Sequence, residues 1–232
     1  MDRRDVIVTG GTGGVGPGVV DRLLDAGHRA TVTWIVEEER DAAAERWAGR
    51  PVELRRLDLR DAAAVAALAR EVDGRDGLWA LVHLVGGYLD GVPLAGAGAE
   101  ALDRQLEVNL RPLAVALDAA LPVLSARGGG RVVAVSSRAA LRPWAGASAY
   151  AASKAGVIAM VQAAQQEVLA DGVCVNCILP SVVDTPANRA AQPDADHGRW
   201  VTPAEVGAVV AFLLSPGASA VTGAPIPVYG RA

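Results

Sequence analysis

Apolar positions along this chain fall into two alternating kinds of run. Short stretches rich in Val, Ile and Leu read as strands: "DVIVT" (5–9), "RATVTW" (29–34), "PVELRRLDL" (51–59), "LWALVHLV" (78–85), "RVVAVSS" (131–137), "VCVNCIL" (173–179) and "PIPV" (225–228). The fourth is apolar enough for a strand buried on both faces. Between them lie Ala- and Leu-rich stretches of helical composition. One runs from a glycine loop to about Ala26, one spans 61–72 behind Asp61, and one runs from about Glu100 to Arg127 with a break expected near Pro112. Two more span 149–170 and, behind a capping Thr202, 202–215.

This alternation predicts an α/β protein of Rossmann type: a doubly wound parallel sheet of about seven strands with helices on both faces. No repeat, linker or low-complexity tract interrupts it, so residues 1–232 read as a single domain. The least regular segment, 181–201, is rich in Pro, Asp and Ala. It is either a surface connection or a flap at the carboxyl ends of strands, where ligands bind in this class.

Composition narrows the picture. Half of the residues are hydrophobic (51%) and few are aromatic (4%), so the core is built from Val, Leu and Ala. A net charge of −4 gives no electrostatic case for nucleic acid or an anionic membrane surface. No apolar run reaches the roughly 18 residues of a membrane span, and "MDRRDVIVTGG" enters a strand without a signal-peptide core. A soluble, cytoplasmic protein is expected. The two cysteines, Cys174 and Cys177, form C-x-x-C. That spacing suits a redox pair or half a zinc site, but within a strand it places them on opposite faces. His28, His83 and His197 are dispersed, and no metal is expected.

The sharper signals are local. "VTGGTGGVGPG" follows the first strand and opens the first helix. Glycine serves there because the turn wants positive φ and the backbone must approach a pyrophosphate closely, while N–H groups at the helix start face the anion. Pro17 suits a first helical turn. Thr9, Gly10, Gly14, Val15 and Gly16 are the expected dinucleotide contacts. At the end of the second strand Trp34 occupies the place of the carboxylate that favours NAD, with Glu37 slightly beyond and Arg40 able to reach back only by folding over. NADP is therefore preferred to NAD. Asp58, with Leu59 beside it, either bonds the adenine amino group or caps the following turn.

"SAYAASKAG" (148–156) holds Lys154, the only lysine, four residues after Tyr150. On a helix these share one face. An ammonium beside a phenol, whose unperturbed pKa is about 10, stabilises phenolate and lowers that value. A compact ammonium fits between a tyrosine and ribose hydroxyls where a planar guanidinium does not.

With these residues in place the chain resembles the short-chain dehydrogenase/reductase family, in its short single-domain branch, over nearly its whole length. "TGGTGGVG" looks like the cofactor loop, "YAASK" like the family's Y-x-x-x-K, "VAVSS" like the strand delivering its serine, and "LEVNL" like the segment with its asparagine. "VNCILPSVVDTP" stands where the family has N-x-x-x-P-G-x-x-x-T. The resemblance implies that Tyr150 is the general acid or base and that Lys154 lowers its pKa and holds the nicotinamide ribose. It implies that Ser137 hydrogen-bonds the substrate carbonyl, and that Asn109 kinks its helix and holds a water leading to Lys154. Val183 and Thr185 would anchor the carboxamide. The implied activity is NAD(P)(H)-dependent reduction of a ketone, or oxidation of its secondary alcohol.

There are departures. The family often has N-N-A-G after the fourth strand; here "HLVGG" retains only Gly86, and His83 is either a new polar contact or a satisfied core histidine. Ser181 replaces a glycine, and Tyr229 stands where an acidic residue is common. The altered segment motivates an alternative, a non-catalytic dinucleotide-binding sensor or structural subunit. Substrate walls are expected from Gly87, Tyr88, residues 139–147 and the flap, with Trp144 and Trp200 as aromatic candidates. These suit a small neutral carbonyl or alcohol. Small residues on helix 149–170, with the resemblance, suggest a homodimer or homotetramer.

Overall fold

The structure is a computed structural model describing residues 4–89 and 91–231. Seven strands form one parallel sheet in the order β3-β2-β1-β4-β5-β6-β7. They are β1 (Asp5–Thr9), β2 (Arg29–Trp34), β3 (Val52–Arg56), β4 (Leu78–His83), β5 (Gly130–Val135), β6 (Val173–Pro180) and β7 (Pro225–Val228). The helices are α1 (Gly16–Asp25), α2 (Glu37–Arg46), α3 (Ala62–Asp76), α4 (Leu94–Asn109), α5 (Arg111–Ala126), α6 (Ser148–Glu167), α7 (Pro186–Ala191) and α8 (Pro203–Leu214). The expected doubly wound α/β sheet is thus present.

The two-residue period of the strands sorts the core into two layers. Ile7, Leu81, Val132, Val175 and Leu179 face α3, α5 and α6. Val6, Val8, Val82, Val133 and Ile178 face α1 and α8. Strand order reverses between β1 and β4, which opens the crevice above their carboxyl ends. Thr202 builds a full capping box on α8: its hydroxyl accepts from the Glu205 N–H at 3.2 Å, and the Glu205 carboxylate accepts from the Thr202 N–H at 2.8 Å.

Several boundaries differ from expectation. The third strand stops at Arg56, so Asp58 and Leu59 lie in the turn beyond it. Helix α2 is additional to the expected elements, because "EEERDAAAER" buries only Ala43 and has almost no apolar face to betray it. The helical break falls at Leu110, and Pro112 sits in the first turn of α5, where no N–H is needed. Residues 99–126, spanning this break, are long and apolar enough to cross a bilayer by length and composition; here Leu113, Ala116, Leu117 and Leu124 pack into the core layer against α3 and α6. Cys174 and Cys177 do face opposite ways: Cys177 is in the α5–α6 layer, while the Cys174 thiol reaches the Ser219 carbonyl at 3.6 Å. Burial pushes the Cys177 thiol up to about 12.

Candidate active site

The glycine loop leaves β1 through Gly10, whose φ of +69° only glycine adopts cheaply. Its N–H donates to the Thr33 hydroxyl at 3.2 Å. A Cβ on Gly14 would lie 3.0 Å from the Thr185 methyl, so the loop comes close to the start of α7. A Cβ on Gly16 would collide with the Gly11 backbone. The loop therefore closes tightly on itself at the N-terminus of α1, with half-exposed Val15 at its cap position. This cradle fits a dinucleotide pyrophosphate. The Thr12 hydroxyl also donates to Glu39 of α2 at 3.0 Å.

At the adenosine end, Trp34 closes β2 and the Arg40 guanidinium lies 5.4 Å above its ring. The arginine has folded back toward the strand end, and its Nε pairs with Asp41 at 3.0 Å. Asp58 behaves as the turn cap: its carboxylate accepts from the Arg60 N–H at 2.9 Å and from the Arg60 side chain. That hydrogen bonding holds its pKa down at about 2. Leu59 is buried in the core.

Where β4 ends, His83 is fully buried and its Nδ1 lies 2.9 Å from the Thr9 hydroxyl. Its Nε2 has no partner. Burial, with the nearby charge of Lys154, lowers its pKa to about 3, so the ring is neutral. The histidine is half satisfied and belongs to the core. Gly86 has φ of +143°; a Cβ there would stand 2.6 Å from Asn109 Oδ1 and 2.7 Å from Lys154 Nζ. Only glycine leaves room for those two groups.

Tyr150 and Lys154 occupy one face of α6. Lys154 is buried, and its Nζ donates to the Val135 carbonyl at 3.1 Å. Burial lowers its pKa to about 8. Its peptide carbonyl accepts from the Ser136 hydroxyl at 2.7 Å, which ties α6 to the end of β5. The expected lowering of the Tyr150 pKa is not found: burial raises it, a hydrogen bond with Ser137 only partly opposes this, and Tyr88 adds to the rise. The ammonium is committed to a backbone carbonyl, and burial disfavours its own charge. The Ser137 hydroxyl also accepts from the Ala139 N–H at 3.1 Å. Ser137 and Tyr150 are thus brought together as expected.

Asn109 is the last residue of α4, directly before the break. Its side chain exchanges two hydrogen bonds with Gly87: Oδ1 accepts from the Gly87 N–H at 2.9 Å, and Nδ2 donates to the Gly87 carbonyl at 3.0 Å. Nδ2 also lies 2.8 Å from Gln105 Oε1 and 3.1 Å from Ser153 Oγ. Tyr88, next in the chain after Gly87, stands edge-on to Tyr150 with ring centroids 5.2 Å apart. Trp144 completes the cluster at 5.9 Å from Tyr88 and 6.3 Å from Tyr150. Tyr88 and Trp144 are 46% and 51% exposed, so they present an open aromatic wall beside the phenol. Trp200 is instead buried and packed 4.4 Å from the His197 ring. The irregular segment is closed at its base by a bridge between buried Val183 and Val201. Thr185 caps α7, accepting from the Asn188 N–H at 3.2 Å.

Gln105, Ser153 and Glu39 join the site from outside the expected set. Ser153 and Glu39 act through long-range partners, Asn109 and Thr12, and Gln105 through Asn109 on its own helix. Glutamine in a helix carries no signal of its own; only its position four residues before Asn109 hints at a shared face.

Comparison with known proteins agrees with this geometry. The family model described as short chain dehydrogenase matches residues 4–196. The chain is 34% identical to cis-4-hydroxycyclohexanecarboxylate dehydrogenase of Sinomonas cyclohexanicum, over 98% of this chain and 95% of that one. It is 30% identical to the 2,5-dichloro-2,5-cyclohexadiene-1,4-diol dehydrogenase LinX of Sphingobium indicum, over 97% and 94%. Among solved structures, a variant of actinorhodin polyketide ketoreductase with NADPH superposes with a TM-score of 0.88 at 31% identity, covering 99% of this chain and 97% of that one. A glycine cradle at the first strand, a Ser137–Tyr150 pair with Lys154 one turn on, and this breadth of similarity place the chain in the short-chain dehydrogenase family of NAD(P)-dependent oxidoreductases acting on alcohol and ketone groups.

Proposed function

We propose that this chain reduces a neutral cyclic ketone, or oxidises the matching secondary alcohol, with NADP(H) preferred to NAD(H). The observation that carries the substrate class is the open wall of Tyr88 and Trp144 beside Tyr150. Such faces bury apolar ring surface and leave the reacting oxygen to the two hydroxyls. Both dehydrogenases named above carry a six-membered carbocycle in their names, which supports the ring preference.

When bound, the nicotinamide supplies the hydride. The chain's own residues do the rest. Ser137 donates a hydrogen bond to the substrate oxygen. Tyr150 gives its proton to the same oxygen as negative charge develops there. Lys154 holds the nicotinamide ribose, and Asn109 fixes the loop that walls the site. Val183 and Thr185 would meet the carboxamide; Thr9, Gly10, Gly14, Val15, Gly16 and Gly86 would line the dinucleotide, with Trp34, Asp58 and the backbone of Leu59 at its adenosine end. Arg40, folded over Trp34, supports NADP, while Glu37, Glu38 and Glu39 in the first turn of α2 oppose a 2′-phosphate. The same proposal takes residues 1–232 as one domain, working in the cytoplasm as a homodimer or homotetramer.

Titration with NADPH and NADH, followed by nicotinamide fluorescence, tests the cofactor. Cofactor oxidation with a panel of cyclic and linear ketones tests the substrate, with Tyr150→Phe as control. Tighter NADH binding overturns the cofactor preference; equal turnover of linear ketones overturns the ring preference.

A further inference from the structure

Gln105 places a buried amide on the α4 face that meets the active-site loop. It lies between buried Ala101 and buried Asn109, one turn away on either side, and is only 3% exposed. Burying an amide costs free energy unless it is hydrogen-bonded, so its partners show what the position is organised around. Both orientations of the amide lead to one place. In one, Oε1 accepts from Asn109 Nδ2 at 2.8 Å. In the other, Oε1 accepts from the Leu89 N–H at 3.1 Å and the nitrogen, 2.8 Å from Asn109 Nδ2, donates to the Gly87 carbonyl at 3.3 Å. Asn109 meanwhile grips both peptide groups of Gly87.

The grip continues into the catalytic helix. Asn109 Nδ2 reaches Ser153 Oγ at 3.1 Å, and Ser153 donates to the Tyr150 carbonyl at 2.8 Å. One buried polar chain therefore joins the loop at 87–89 to the turn of α6 that carries Tyr150. Tyr88 lies in the middle of that loop, and its ring contacts Tyr150 edge-on.

We propose that Gln105 is a positioning residue for substrate specificity: it holds the Gly87–Leu89 backbone so that Tyr88 stays edge-on to Tyr150. This rests on the reading of Tyr88 as a substrate wall. Gln105 touches neither the reacting atoms nor the glycine cradle, and it meets the Tyr150 turn only through Asn109, which has its own bonds to Gly87 and Ser153; its loss therefore loosens the wall more than it moves the proton donor.

A double-mutant cycle tests this. Gln105→Leu keeps the volume and removes the hydrogen bonds; Gln105→Met serves if the leucine variant does not fold. The expected result is a KM for a cyclic ketone raised about tenfold, the worth of one or two buried hydrogen bonds, with kcat and NADPH affinity close to wild type. In a Tyr88→Ala background the same change adds almost nothing, because its target is gone. Additive effects, or an unchanged KM, overturn the proposal. Amide hydrogen exchange over 84–89 gives a readout independent of turnover: exchange about tenfold faster in Gln105→Leu is expected, and unchanged protection overturns the proposal. Faster exchange in a protein whose wild type ignores cyclic ketones would sink the substrate reading alone and leave the clamp standing.

Discussion

Lys154 stands one helical turn from Tyr150, yet its ammonium donates to the Val135 carbonyl at 3.1 Å, and the phenol's pKa lies above its ordinary value. A shared helix face does not by itself pair the ammonium with the phenol, whose pKa is governed here by burial. In this arrangement Lys154 serves first as a buried positive charge beneath Gly86, held in place by the end of β5.

Removing the phenolic oxygen separates chemistry from binding. Tyr150→Phe is expected to lower kcat by about 10²- to 10⁴-fold, the usual worth of a positioned proton donor. Cofactor affinity, followed by nicotinamide fluorescence, should stay within a few-fold of wild type. Turnover that survives the substitution would move the proton donor elsewhere.

Lys154 makes stability depend on alkaline pH. Its pKa is about 8 in the fold against an ordinary 10.5. Between those values the unfolded chain binds the extra proton, so stability rises with pH across that window, and the full penalty for burying the charge applies below it. Lys154→Met should therefore unfold at a higher temperature than wild type at pH 7. The gap should close as the buffer moves from about pH 8 to about 10.5. A gap that is constant across this range would contradict the burial of a titrating amine.

His83 works at the acid end. Its pKa is about 3 against an ordinary 6.5. The unfolded chain takes up the proton first, so this group costs stability as the pH falls from 6.5 toward 3. His83→Asn keeps a polar group opposite Thr9 without that cost. Denaturant titrations should show the variant losing less stability than wild type over this interval.

Gly86→Ala tests the crowding beneath the loop. A methyl there would press on Asn109 Oδ1 and Lys154 Nζ at 2.6 and 2.7 Å, at a φ of +143°. Strain of this kind typically costs about 1–3 kcal/mol. Both melting temperature and kcat should fall, whereas Gly87→Ala meets nothing within 4 Å and should be far milder.

Trp144→Ala removes half of the open wall. KM for a cyclic ketone should rise about tenfold, in line with the loss of a partly buried aromatic face. Fold stability should hardly change, because the ring is half exposed and its neighbours are Tyr88 and Tyr150. Steady-state kinetics beside a thermal melt would check both.

Much of this molecule is written locally. Strand periodicity places the seven strands: the central ones are short and apolar because both faces are buried, and the edge strand β3 alternates, with Val52 and Leu54 on the core face. The glycine loop and the four-residue spacing of Tyr150 and Lys154 follow from backbone sterics and helical pitch, which act within a few residues. Helix α2 is not legible in the sequence because its stability owes little to an apolar stripe. What only the tertiary structure decided is the company each group keeps. Thr9 meets His83, Gly14 meets Thr185, and Asn109 meets Gly87 and Ser153 through the sheet order and the packing of α4 on α6. The direction of the Tyr150 shift belongs to that second kind. Desolvation and charge depend on everything within several ångströms, and most of that comes from distant parts of the chain.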